Sequence, residues 1–334
     1  MSKDTNISRV WQRLKRNKMA VASLFFIFLM VLIALFAYPF CTDNSSDANQ
    51  VMVELATKPP GFKASFIVKK NQSKKEQSFI SFLINGKKYP DQLIPIANNS
   101  WEPAKHLGDS ITYFKYKDEE VYEEITALKS DFVYEGEFIK VVNRKFQFGT
   151  DRYGRDVLSR LLLGSRVSLA VGLIAVLLSI SIGLLLGAFA GYYGGKVDAF
   201  IVWLINVVWS IPTLLLVFAI TFILGKGFWQ IFIAVGLTMW VGTARLIRGQ
   251  VMGLKELEYV QAAKTMGFSD WRIITKHILP NVIGPTIVLA ASNFATAILI
   301  EAGLSFLGIG VQPPTASWGL MIKENYNFII TNRP

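Results

Sequence analysis

The chain has 334 residues, 52% hydrophobic and only 18% charged, with a net charge of +11 and a mean hydropathy of +0.37. A soluble domain of this length carries more charge. The apolar residues come in blocks, so they signal membrane spans rather than an oversized core. The basic excess is localised. Residues 1–19 hold Lys3, Arg9, Arg13, Lys15, Arg16 and Lys18 against Asp4, and residues 245–277 hold Arg245, Arg248, Lys255, Lys264, Arg272 and Lys276 against Glu256, Glu258 and Asp270. Between 42 and 149 the basic and acidic residues cancel. Under the positive-inside rule the two basic segments face the cytoplasm and the neutral block lies outside, so no nucleic acid is needed to explain the charge. The single cysteine, Cys41, excludes a disulfide within the chain. His106, read as a surface residue, and His277 are too far apart in sequence to point to a metal.

Residues 1–19 read as a basic amphipathic cytoplasmic segment, and 20–40 as a first transmembrane helix of about 21 residues. It is too long for the apolar region of a signal peptide, and no small-x-small site follows it. Residues 41–148 change character and read as a β-rich extracytoplasmic insert. Phe79 to Ile84, Asn85-Gly86 and Lys87 to Tyr89 predict a hairpin with a type I′ turn. Phe62 to Val68, Ile111 to Tyr116 and Phe132 to Val142 predict strands, and Val121 to Leu128 a short helix.

Gly149-Thr150-Asp151-Arg152-Tyr153-Gly154-Arg155-Asp156 follows; Thr150 or Asp151 can cap a helix in the membrane interface. The plain alternative leaves Arg155, Asp156 and Arg160 solvated. A second span covers 167–192, where Gly183, Gly187 and Gly191 make a smooth packing face. A third covers 200–224 and should kink at Pro212. A fourth covers 228–247 and a fifth 282–307. The fifth carries Glu301, a charge deep in a span and a possible lining group of a translocation path. Its alternative role is structural pairing, or hydration near the outer end.

Between the fourth and fifth spans, residues 249–280 form a cytoplasmic helix–Gly–helix hairpin. Gly267 supplies a left-handed stop, Ser269 a cap with Asp270 beside it, and Pro280 an end. Ala262-Ala263, Gly267 and Leu279-Pro280 resemble, in spacing, the coupling loop of ABC importer permeases. Gln261 stands where Glu is usual. His277 within His-Ile-Leu-Pro-Asn is similar to the oligopeptide/dipeptide/nickel class. The Gly-Thr-Asp segment and Gln312-Pro313-Pro314-Thr315-Ala316-Ser317-Trp318-Gly319 resemble the same class, in the same order along the chain. The resemblance covers the first span and 149–334 but not the insert.

The resemblance implies the permease fold and a bacterial inner-membrane, multi-pass location with a cytoplasmic N-terminus. It implies import of peptides, nickel or other small solutes by alternating access. Gln261, Ala262, Ala263, Gly267, His277, Leu279 and Pro280 become the ATPase-coupling residues, with Ala262, Ala263 and Gly267 letting a partner surface approach closely. The implied partners are a second related permease chain, two ATP-binding subunits, an extracytoplasmic solute-binding protein and the bilayer. The chain carries no phosphate-binding loop, so ATP belongs to the partner ATPase and no cofactor or metal is expected here. An amphipathic surface hairpin and a DNA-binding helix-turn-helix are the other readings of 249–280. An ion-driven transporter would call for more mid-membrane charges than Glu301. An intramembrane enzyme would call for a catalytic constellation that the spans lack. In the family a sixth span follows Ser-Trp-Gly, and the sequence is expected to continue into it beyond Pro334.

Overall fold

The computed structural model describes residues 12, 14–71, 77–88, 90–97, 105–118, 121–225 and 227–330. Residues 1–11 and 13 of the basic head, and the side chain of His106, fall outside them. The chain divides into two compact units, Met1–Arg166 with Phe328–Pro334, and Val167–Asn327.

The first unit opens on helix α1, Lys18–Leu35, whose N-cap Asn17 accepts a hydrogen bond from the Ala20 amide at 3.2 Å. α1 buries none of its residues within the chain, as expected of a helix whose surroundings are lipid. Phe36 breaks it, and the short α2, Ala37–Phe40, follows. The insert is an antiparallel sheet of β1 (Phe62–Lys69), β2 (Gln92–Ile96), β3 (Lys105–Leu107), β4 (Ser110–Asp118), β5 (Val121–Leu128) and β8 (Val141–Phe146), in the order β3-β4-β2-β1-β8 with β5 also on β4. A small ribbon pairs β6 (Tyr134–Glu135) with β7 (Phe138–Ile139). Successive residues of β1 point to opposite faces. Phe66 joins Met52, Leu55 and Phe146, while Ile67 joins Ile96, Ile111, Tyr113 and Phe132.

Two local expectations fail here. Phe79–Asn85 is a helix, α3, because Gly86 at φ 67° closes a helix end, its amide bonding the Phe82 carbonyl, rather than turning a hairpin. Val121–Leu128 is a strand because its β-branched and aromatic residues zip against β4, with Tyr113 opposite Ile125 and Tyr116 opposite Tyr122.

Helix α4, Val157–Tyr193, starts ten residues before the expected second span. The third span is two helices, α5 (Gly195–Trp209) and α6 (Thr213–Leu224), bent by 90° at Pro212. α7 runs Phe228–Lys255. The hairpin consists of α8 (Glu258–Thr265) and α9 (Asp270–Ile273). A π-turn over Ile274–Ile278 then leads into α10 (Leu279–Leu307), and α11 (Trp318–Ile330) closes the described chain. Pro280 therefore does not end a helix. It sits in the first turn of α10, where its missing N–H costs nothing, and Asp270–Leu307 is long and apolar enough to cross a membrane. Among the described residues four helices pass that test, five if α5 and α6 count as one broken span.

The glycine ladder holds the second unit together. A Cβ on Gly183 would lie 2.5 Å from Thr243 Cβ. On Gly187 it would lie 2.5 Å from the Ala244 carbonyl oxygen, and on Gly191 2.7 Å from that of Arg248. α4 and α7 thus touch backbone to backbone, the approach that small residues permit in a membrane. Arg248 of α7 also makes a two-point ion pair with Asp198 of α5, one arm at 2.7 Å.

Candidate coupling hairpin and a buried carboxylate

In the α8–α9 hairpin, Val260 and Ala263 are three residues apart and so share one face of α8. Both are buried against Tyr192, Ile247, Val251, Ile273, Ile274, Ile278 and Val282. α8 closes with two C-terminal bonds: the Phe268 amide to the Ala263 carbonyl at 3.2 Å, and the Gly267 amide to the Lys264 carbonyl at 3.0 Å, with Gly267 at φ +78°. This is the Schellman pattern, and it needs the left-handed residue that glycine supplies. Ser269 holds the N-cap position of α9 with an extended backbone, but its side chain makes no capping bond.

The hairpin is tied down from several sides. Tyr192 Oη donates to Asp270 Oδ1 at 2.7 Å. His277 stacks on Phe268 at 6.0 Å with an interplanar angle of 20°, and the Arg272 guanidinium covers the same Phe268 ring. Asn281 Nδ2 donates to the His277 carbonyl at 2.7 Å and to Tyr259 Oη at 3.2 Å. Gln261 Nε2 donates to the Lys255 carbonyl at 2.9 Å, capping the end of α7. A carboxylate cannot make that bond, which gives the Gln at this position a physical role.

Gln261, Ala262 and Gly267 are exposed, Leu279 is half-buried and Pro280 exposed. Ala263 is the correction. Expected to leave room for a partner, it is 1% exposed and packs on the chain's own core. Exposed apolar side chains of the hairpin include Leu257, Tyr259, Met266 and Trp271, the last two the most exposed. Sequence reading passed over them, although a Met and a Trp flanking the Gly-Phe-Ser-Asp turn of a polar hairpin were visible as a signal. A cleft of about 220 Å³ lies beside α8, lined by Tyr192, Lys255, Gln261, Lys264 and Asp270.

Glu301 lies 21 residues beyond Pro280, roughly 30 Å along α10 at 1.5 Å per residue. It is fully buried. Ser305 Oγ donates to its Oε1 at 2.6 Å and Ser168 Oγ to its Oε2 at 3.3 Å, and the Ser317 hydroxyl joins them. These serines also hold backbone. Val311 N–H donates to Ser305 Oγ at 3.0 Å, and Leu320 N–H to Ser317 Oγ at 3.2 Å. Gly319 is pressed on α10, where a Cβ would lie 2.5 Å from Ala302 Cα. Glu301 therefore fastens α4, α10 and the Gln-Pro-Pro-x-x-Ser-Trp-Gly segment together. The hairpin residues come together in space; Glu301 belongs to a separate cluster.

Residues 183–331 match the sequence profile described as "Binding-protein-dependent transport system inner membrane component". Residues 5–60 match that of the "N-terminal TM domain of oligopeptide transport permease C". Both matched stretches are thus similar to inner-membrane permease components of binding-protein-dependent transport systems. The dipeptide transport system permease protein DppC of Bacillus subtilis is 44% identical over 184 residues, 55% of this chain and 58% of that protein. The oligopeptide transport system permease protein OppC of the same organism is 41% identical over 53% of this chain and 58% of its own length. The glutathione transport system permease protein GsiD of Pectobacterium atrosepticum is 41% identical over the same shares. The chain spans a little under three fifths of the length of these relatives. Among solved structures, the inward-facing MetNI methionine ABC transporter matches with a TM-score of 0.42 at 21% identity, over 51% of this chain and 81% of that one.

The first profile takes in the glycine ladder, the hairpin and Glu301 with Ser305 and Ser317, while Ser168 lies before it. The Gly-Thr-Asp segment lies between the two matched stretches and does more than cap a helix. Asp151 and Arg155 form a buried ion pair at 2.6 Å, and Asp151 also accepts the Tyr153 and Arg155 amides. Thr150 Oγ1 bonds the Leu55 carbonyl and accepts the Lys58 amide. Arg155, Asp156 and Arg160 are all buried, not solvated. The cap of α4 is Asp156, whose Oδ2 accepts the Ser159 amide at 3.1 Å; burial pushes its carboxyl above the usual range. The knot ties the start of the insert to α4.

Proposed function

We propose that this chain is the transmembrane permease subunit of an ATP-driven importer, moving peptides or other small solutes such as nickel across the bacterial inner membrane by alternating access. The observation that carries this reading is the family match over 183–331; the helical hairpin within that range follows one helix long and apolar enough to span and leads into another. ATP hydrolysis resides on two partner subunits, so this chain is not itself an enzyme and holds no cofactor. A second related permease chain and an extracytoplasmic binding protein complete the assembly. The N-terminus is cytoplasmic and the insert extracytoplasmic, as the charge distribution requires.

The hairpin is the coupling knob. Its inner face, Val260 and Ala263, locks it to α7 and α10, so a push on the hairpin moves those helices as one piece. Its outer face offers Met266, Trp271 and the cleft beside α8 to the ATPase. The test uses Met266→Glu and Trp271→Ala in the complete reconstituted complex with its ATPase and binding protein. Both variants should insert at normal abundance and lose substrate-stimulated ATP hydrolysis. Full stimulation in both would reject the knob. A thiol-specific, membrane-impermeant reagent should label Lys63→Cys, in a Cys41→Ser background, from the outer face of intact spheroplasts; labelling only after lysis would reverse the topology.

A further inference from the structure

The short helix α3, Phe79–Asn85, turns its apolar side the wrong way for a soluble fold. At 100° per residue, Phe79, Leu83, Ile80 and Ile84 share one arc of about 140°, with Phe82 and Ser81 on the other side. Only Phe82 packs inward, against the cluster of Ala37, Tyr38, Cys41, Ala48 and Leu163. Phe79 is 70% exposed, Ile80 68% and Ile84 57%. A helix in water does the reverse.

The placement of α3 explains why. Tyr38 stands three residues past the end of the membrane-spanning α1, and its ring meets Phe82 at 6.3 Å. Gly86, the C-cap of α3, sits so close that a Cβ there would lie 2.3 Å from the Tyr38 ring. The Arg166 guanidinium covers the Tyr38 ring at 5.2 Å and donates to the Leu83 and Ile84 carbonyls at 3.3 and 3.0 Å, capping the last turn of α3. α3 is thus fixed at the level where α1 leaves the bilayer. Leu35, Phe36 and Phe40, which flank Tyr38 in sequence, are likewise exposed apolar residues.

We infer that α3 is an interfacial helix that dips Phe79, Ile80 and Ile84 into the acyl region of the outer leaflet, anchoring the insert to the bilayer. The occupant of the patch is lipid rather than protein, because Tyr38 and Arg166 hold α3 a few residues from the end of α1, a helix that buries none of its own apolar residues within the chain. The aromatic Tyr38 beneath α3 lies at the headgroup level, where such rings concentrate. The insert is then held against the membrane at two points, α1 and α3, which fixes its tilt on the outer face.

The inference rests on α1 crossing the membrane, and the test separates the two. Single nitroxide labels go on Phe79→Cys, Ile84→Cys, Phe28→Cys in mid-α1 and Lys63→Cys on the sheet. All are made in full-length protein in a Cys41→Ser background, reconstituted in phosphatidylethanolamine/phosphatidylglycerol bilayers. Collision rates with dissolved oxygen, which enriches in acyl chains, and with a water-soluble nickel chelate are compared by electron paramagnetic resonance. Positions 79 and 84 should favour oxygen several-fold, as 28 does, while 63 favours the chelate. If 28 favours oxygen but 79 and 84 behave like 63, the lipid anchor is overturned and α1 stands. Shielding of 79 from the chelate only after a binding protein is added overturns it in favour of a protein occupant. Chelate access at 28 as well removes both readings.

Discussion

Gly187→Ala and Gly242→Ala are the same substitution on two packed helices, and the structure gives them opposite signs. At Gly187 on α4 the new Cβ would lie 2.5 Å from the Ala244 carbonyl oxygen and 3.0 Å from Ile247 Cβ. The nearer obstacle is backbone and cannot rotate away, so α4 and α7 must separate. Overpacking of this kind costs about 1–3 kcal/mol. At Gly242 on α7 nothing lies within 4 Å, and only the gain in helix propensity acts, about 1 kcal/mol in favour of alanine. That gain is common to both sites, so the difference between the variants isolates the packing term at about 1–3 kcal/mol. Thermal unfolding of the isolated chain in detergent, followed by loss of the monodisperse peak on size exclusion, measures it. Gly187→Ala should melt below wild type and Gly242→Ala at or above it. Equal melting temperatures would refute the backbone contact between α4 and α7. Because α7 leads into the hairpin, a shift at Gly187 should also weaken coupling.

Ser305→Ala removes both the donor to Glu301 and the acceptor of the Val311 amide. With the buried Val311 amide unpaired and Glu301 left to Ser168 and Ser317 alone, it should cost about 2 kcal/mol; an unchanged melting temperature would show that the cluster does not fasten the segment after α10. Arg155→Ala leaves the buried Asp151 carboxylate with two backbone amides and only the longer Arg160 contact at 4.0 Å, and should lower stability by about 3 kcal/mol, read as protease sensitivity of the insert; wild-type resistance would count against the knot. Glu54 and Lys115 meet at 2.6 Å on the insert. Burial alone would raise the Glu54 carboxyl, but the Lys115 hydrogen bond holds it below its usual value, and the same bond raises Lys115. A lowered carboxyl stabilises above its unfolded pKa of about 4.3, and a raised ammonium below about 10.4. The stability gap between wild type and Glu54→Gln should therefore be flat between those limits. It should close as pH falls through the lowered Glu54 value, and a gap that widens in acid would contradict the pairing.

The sequence by itself determined that the chain is a membrane protein with a polar insert, where its hairpin turns, and which family it resembles. These features are one-dimensional: apolar run length, charge placement and motif spacing. Gly183, Gly187 and Gly191 announced a packing face, and Gly267 a left-handed turn, because each rests on one residue's lack of a Cβ. The tertiary structure decided what depends on neighbours distant in sequence. Val121–Leu128 became a strand because β4 supplied a partner edge, and Phe79–Asn85 a helix because Tyr38 and Arg166 received its end. Pro280 opened a helix instead of ending one because a π-turn led the chain into it. Ala263 turned inward because α8 had a core to meet. Glu301 was legible as a buried charge. Its role as a clamp was not, because Ser168 lies 133 residues away and only the packing of α4 against α10 brings that hydroxyl to the carboxylate.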